Sequence, residues 1–229
     1  MPTENVRPDD CARWLGILDA EERERASRFH LDHDRIDFIA AHALLRRMLA
    51  FHLQRPAQQW RFDIGEFGKP VMAEHFPHPE IDFNLAHTRG LVAAAIVSRA
   101  HIGVDVEKID ATKADFKVAE NYFAAPEIEI LRSTPASDRT ICFFRFWTLK
   151  EAYLKAIGTG FDTPLDSFAF TLAPIRIVFL RNAGDRDDSQ RWHFESLPTT
   201  PEHILSVAVV GESGEGFRIV PRSVDPQEL

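Results

Sequence analysis

Asp105 and Glu107 stand two residues apart in the alternating stretch Ile102-Gly103-Val104-Asp105-Val106-Glu107. On an extended strand such residues share a face. Two carboxylates side by side repel, and each is stabilised by a compensating cation. Oxygen-only ligands suit a hard ion such as magnesium, which keeps several waters and shares its sites with substrate phosphates. The plain alternative is a solvated strand face with two ordinary acids. A third acid, Glu151, lies in the segment from Trp147 to Lys155, where Trp147, Glu151 and Lys155 recur every four residues along one side of a helix. There the plain alternative is a surface Glu–Lys pair worth about 0.2–0.5 kcal/mol. His87 follows Asn84-Leu85-Ala86 at a strand end, and Lys69 sits in a Gly68-Lys69-Pro70 turn. Each could face a ligand or be an ordinary surface residue.

The elements that must position these groups follow from periodicity. Residues 20–28 are charged and helix-friendly. Over 34–53, Phe38, Ile39, Leu44, Leu45, Met48 and Leu49 recur on a helical period, and Pro56 closes the helix. Residues 81–85 and 91–98 read as strands, and 102–107 as a half-buried one. Short helices are expected at 116–123 and 128–131. A longer one is expected at 140–157, with Phe146, Leu149, Tyr153, Ala156 and Ile157 on its core face and Gly158-Thr159-Gly160 ending it. The tail alternates again at 176–180, 192–197, 204–210 and 217–220. Polar residues 182–189 suggest a hairpin turn between the first two of those strands. Helix and strand in each half imply an α+β chain of two lobes, 1–109 and 110–229.

Composition narrows the function. At 229 residues and 45% hydrophobic, with eighteen Phe and four Trp, the chain can bury a substantial core. Lys plus Arg number 27 against 35 acids, a net charge of -8, which argues against a general nucleic-acid binder while leaving room for a local basic pocket. The longest apolar run, 91–97, is far too short to span a bilayer. Cys11 and Cys142 have no metal-type spacing. Glu4, Asp9 and Asp10 precede any apolar stretch, which does not fit a signal peptide. A cytoplasmic protein, with neither membrane nor nucleic acid as partner, is the expectation.

Taken in order, Phe67-Gly68-Lys69-Pro70, Asn84-Leu85-Ala86-His87, Gly103-Val104-Asp105-Val106-Glu107 and Trp147-Thr148-Leu149-Lys150-Glu151-Ala152 through Lys155 resemble the 4'-phosphopantetheinyl transferases of the two-lobed, surfactin-synthetase-activating type. The resemblance spans about residues 67–161; Leu44-Leu45-Arg46 and Pro164-Leu165-Asp166-Ser167-Phe168 extend it. It implies a pseudo-dimeric α+β fold and transfer of the 4'-phosphopantetheine arm of coenzyme A to a serine of an acyl or peptidyl carrier protein. Asp105, Glu107 and Glu151 match the family's magnesium ligands. His87 and Lys155 match contacts to the coenzyme pyrophosphate. Lys69 and Arg46 match positive residues near the adenosine end and its 3'-phosphate, and Lys150 another basic contact. Glu151 and Lys155 are the expected catalytic pair. Ala86 departs from the Ser or Thr common before the histidine, which removes one hydroxyl donor. Arg28 and Arg35 are the candidates for further basic contacts before the first-lobe helix. Residues 116–123, with Lys113 and Lys117, are the candidate docking segment for the carrier. A single chain holding both lobes would suffice as a monomer. A magnesium-dependent phosphohydrolase or nucleotidyltransferase, and a non-catalytic coenzyme A binder, are the competing readings.

Overall fold

The computed structural model describes all residues except 66, 67, 75, 77–79, 181–188 and 212–215. Phe67 of the first motif and most of the polar turn expected at 182–189 therefore lie outside the described residues.

The first lobe opens with α1 (Pro8–Leu15), which no apolar periodicity had indicated, and α2 (Ala20–Ser27). A reciprocal cap fixes the start of α2: Asp19 accepts from the Glu22 amide and Glu22 accepts from the Asp19 amide, each at 3.0 Å. The central helix α3 (Asp32–Leu53) ends where Gln54 turns left-handed at φ 53°, two residues before Pro56. Every residue from Asp37 to Arg46 is buried, because α1, α2 and the hairpin β3 (Ile81–Thr88) and β4 (Leu91–Ser98) enclose this helix. Strands β1 (Phe62–Ile64) and β2 (Pro70–Met72) form a small ribbon carrying the Gly68-Lys69 turn between them.

The second lobe is built on β5 (His101–Lys108). This strand pairs with β9 (His203–Val210), and β9 with β8 (Trp192–Thr200), in an antiparallel sheet of order β5-β9-β8. By pairing, β5 thus belongs with the later strands, although it falls within residues 1–109. The chain's last residues return to the first lobe: Leu229 is buried in its core, and Arg13 donates to the Pro226 carbonyl at 3.1 Å. Helices α4 (Phe116–Tyr122), α5 (Ala125–Ser133) and α6 (Ala136–Ile157) lead to the hairpin of β6 (Phe168–Leu172) and β7 (Ile175–Phe179). The hairpin expected between 176–180 and 192–197 does not form: β7 pairs with β6, and β8 with β9. Strand β6 escaped the alternation test because Phe168, Ala169 and Phe170 are all buried. Residues 217–220 form no strand.

Helix α6 ends at Gly158 with φ 68°, and its core face buries Phe146, Leu149, Tyr153 and Ala156 against Phe168, Phe170 and Phe194. Each such aromatic contributes about 1.5–3 kcal/mol by leaving water. The same helix lies unusually close to β5. A methyl group on Gly103 would stand 2.0 Å from the Ala152 carbonyl oxygen and 2.5 Å from the Ala156 nitrogen. Only glycine permits that approach, and it sets Glu151 and Lys155 beside Asp105.

The lobes meet along a seam of side chains. Asp82, Asn84 and Thr88, at even positions of β3, accept from the Ile102, Val104 and Lys108 amides of β5 at 2.9, 2.8 and 3.4 Å. These bonds satisfy amides that β5 turns away from β9. Ala86 interrupts the series, 5% exposed among Ile102, Val104 and Val106. Position 86 therefore faces this packed seam.

Candidate active site

Asp105 is buried on β5, and Glu107, two residues on, is half-buried at the same seam. Glu151 and Lys155 approach from α6, one helical turn apart. Lys155 Nζ donates to Asp105 Oδ1 at 2.6 Å, and Thr88 Oγ1 to Glu107 Oε2 at 3.4 Å. The remaining oxygens are unmatched: Asp105 Oδ2 and Glu151 Oε1 are buried and accept no hydrogen bond among the described residues. Buried acceptors without donors are costly.

Burial and mutual repulsion raise two of the three acids. Glu151 is pushed up to about 7, first by burial, then by the charge of Asp105 and, less, of Glu107, against the opposing pull of Lys155. Glu107 is raised first by burial and then by Asp105. The three carboxylates are thus close enough to feel one another. Among the described residues they are not gathered around one point as a ready-made metal site. The two orphaned oxygens on facing elements, with a third acid alongside, form an oxygen-only donor set that fits a hard divalent cation.

A cleft of about 180 Å³ opens beside these groups. It is lined by Gly68, Lys69 and Pro70 of the β1–β2 turn, by Asn84 and Leu85 of β3, and by Glu151, Leu154, Lys155, Gly158 and Gly160 at the end of α6 and just beyond. Lys69 lines it while donating to Asp82 Oδ2 at 2.9 Å and to the Ile102 carbonyl at 3.1 Å. His87 is exposed at the end of β3. Its pKa lies below the ordinary value, first through the protein crowded against the ring, then through the charges of His42 and Lys155.

Two residues expected at the ligand are placed elsewhere. Arg46 is fully buried, donating to Glu22 at 2.8 Å, to Asp19, and to the carbonyls of Ala57 and Trp60. Lys150 is 1% exposed and donates to the Leu165 and Phe168 carbonyls at 2.7 and 2.9 Å, beside Glu127 at 2.8 Å. All three ammonium hydrogens of Lys150 have acceptors, and neither cation can reach a ligand without leaving its lobe's interior. Both act as internal struts, because a charge this deep requires a partner. Arg28 and Arg35 are exposed, ion-paired to Glu24 and Asp32.

In the candidate docking segment, Phe123 is buried and Phe116 packs on the core under Arg139, leaving Tyr122, Lys113 and Lys117 exposed. Sequence reasoning missed Glu22, His42 and the β3 series Asp82, Asn84 and Thr88. The even spacing of polar residues along 82–88 was the available signal.

Residues 6–99 match the family model described as 4'-phosphopantetheinyl transferase, N-terminal, and residues 101–208 that of the 4'-phosphopantetheinyl transferase superfamily. The two matches divide just before β5, where the pairing divides the sheets. Over 194 residues the chain is 33% identical to 4'-phosphopantetheinyl transferase HetI of Nostoc sp., covering 85% of this chain and 79% of that protein. It is 29% identical to 4'-phosphopantetheinyl transferase Sfp of Bacillus subtilis, covering 72% of this chain and 70% of that one. Similarity at 27% extends to the Homo sapiens L-aminoadipate-semialdehyde dehydrogenase-phosphopantetheinyl transferase, over 93% of this chain and 75% of the other.

Proposed function

The chain belongs to the 4'-phosphopantetheinyl transferase superfamily and moves the phosphopantetheine arm of coenzyme A onto a carrier protein, and from that premise we propose that the cleft between the Lys69 turn and the end of α6 is where transfer occurs. The observation that carries the assignment is the pair of orphaned buried oxygens, Asp105 Oδ2 and Glu151 Oε1, beside a lysine that can face phosphate.

Asp105, Glu107 and Glu151 would hold magnesium. When bound, the ion supplies charge neutralisation to the coenzyme pyrophosphate. Lys155, which lines the cleft, and His87 orient the phosphates, and Lys69, which also lines it, contributes positive charge. The carrier serine oxygen attacks the β-phosphorus, the bond to the bridging oxygen breaks, and adenosine 3',5'-bisphosphate leaves. Glu151 accepts the serine proton, directly or through a water, and Lys155 donates to the departing phosphate oxygen. Alignment of nucleophile and phosphorus does most of the work in such a displacement. Tyr122, Lys113 and Lys117 offer the carrier an aromatic contact flanked by cations. Both lobes contribute to one cleft, so a single chain completes the site.

Incubating an apo carrier protein with this enzyme, coenzyme A and magnesium tests the reading. The expected mass gain is one phosphopantetheine arm on serine, lost when magnesium is chelated; transfer undiminished by the chelator would reject the metal assignment.

A further inference from the structure

Where α6 crosses the second-lobe sheet, a buried pair of hydroxyls joins the two. Thr148 and Ser206 are both fully buried, and their oxygens stand 2.8 Å apart. Thr148 donates its one hydrogen to the Phe144 carbonyl at 2.9 Å, since a carbonyl can only accept. Ser206 must then donate to Thr148, and Ser196 on β8, 3.0 Å away, to Ser206. Every hydroxyl hydrogen in this chain has an acceptor. Sliding the helix would strand buried oxygens, which is costly.

The pair lies beside the acidic cluster. Ser206 is the residue directly opposite Asp105 in the register of β5 and β9, and Ala208 is opposite Gly103. Opposed residues share a face of the sheet, so Gly103, Asp105 and Ser206 all look toward α6. The helix meets this face at two points one turn apart, Ala152 against Gly103 and Thr148 against Ser206. The first contact lets the helix approach, but bare backbone has nothing to fix its position along the strands. The second is a directional bond. Glu151 follows Thr148 by three residues and Lys155 by seven, so the bond that locates Thr148 sets where both meet Asp105. It also commits the hydrogen of the hydroxyl opposite Asp105, whose Oδ2 stands without a donor.

We infer that Thr148 and Ser206 are positioning residues for the transfer: their hydroxyl bond registers α6 on the sheet so that Glu151 and Lys155 meet Asp105 in the geometry the reaction requires. The inference rests on the cleft assignment. Thr148→Val and Ser206→Ala each break the bond and leave one buried oxygen unmatched, so each should also lose stability. The double change removes both oxygens, which is close to neutral for stability, and it therefore separates positioning from folding. Steady-state transfer to an apo carrier protein, urea midpoints, and calorimetric affinity for coenzyme A with magnesium and with a chelator are compared across these variants, Thr148→Ser and the unaltered chain. The double variant should regain the unaltered midpoint while its kcat stays down on the order of tenfold, as for a small misplacement of reacting groups. Magnesium should strengthen its coenzyme A binding on the order of tenfold less than in the unaltered chain, and affinity without magnesium should not change. Thr148→Ser, which restores the hydroxyl, should recover most of the kcat lost in Thr148→Val. A double variant equal to the unaltered chain in kcat and in the magnesium effect overturns the inference, as does a Thr148→Ser loss as large as that of the valine. A double variant too unstable to assay makes the pair a folding element and overturns it too. If magnesium makes no difference to coenzyme A binding in the unaltered chain, the cleft assignment falls and this inference with it; a magnesium effect that the double variant keeps in full rejects this inference alone.

Discussion

The central helices of the two lobes, α3 and α6, are the same device used twice. Each is 22 residues long, and each buries a cation at its fifteenth residue, Arg46 in one and Lys150 in the other. Each cation meets a glutamate that also closes the start of the preceding short helix: Glu22 accepts from the Asp19 amide, and Glu127 from the Ala124 amide. Beyond the cation the two helices diverge. In α6 come Glu151 and, four residues later, Lys155, both at the cleft; the matching residues of α3 are Arg47 and Phe51, both exposed. The fold was built from two like frameworks, and chemistry was placed on one. No repeat in the sequence reveals this, because the equivalents are few and scattered: the two glutamates match, but the cations are Arg46 in one lobe and Lys150 in the other.

The comparison breaks most sharply at the residue after each strut. Glu151→Gln should cost more than about a hundredfold in kcat while the protein stays folded, whereas Arg47→Gln should change it by less than about twofold. Steady-state transfer to a carrier protein checks both, and similar losses in the two variants would dissolve the distinction between the helices.

The struts themselves should behave alike. Lys150→Ala leaves the buried Glu127 without its cation, at about 3–5 kcal/mol of stability, and Arg46→Ala, which leaves Glu22 its contact with His42, should cost no more than that. The double change Glu127→Leu with Lys150→Met, which removes both charges, should restore most of that loss. Urea unfolding midpoints measure these differences. A single-lysine variant as stable as the unaltered chain would mean that the pair is not a strut.

The smallest effect lies in the pH dependence of the metal-free protein. Glu151 ordinarily titrates near 4.5 and is pushed up to about 7 in the fold. Between those values the folded chain keeps a proton that the unfolded chain has released, so stability falls as pH rises from about 4.5 through about 7. Thermal melts with a chelator present should show the decline. Glu151→Gln should reduce its slope and Arg47→Gln should leave it unchanged.

Much of the fold could be read from periodicity. Helix α6 begins four residues earlier than its apolar stripe implied, and β4 runs over the expected residues. Where the pattern failed, burial had erased the contrast on which pattern reading depends. Strand β6 is buried through its first three residues. The tail showed the converse fault: 217–220 alternates yet forms no strand, since alternation states a preference and cannot supply a partner strand.

Sequence alone determined the chemistry available. Acids at 105, 107 and 151, a lysine one turn beyond the last, and the order of four motifs marked the family, because spacing along one strand or one helix fixes which side chains share a face. Tertiary structure decided which charges are free to use that chemistry. Arg46 and Lys150 carry the same charge as Lys155, yet both are consumed by buried glutamates and carbonyls, while Lys155 lines the cleft. A side chain's charge is local, but its availability depends on every acceptor the folded chain brings within reach.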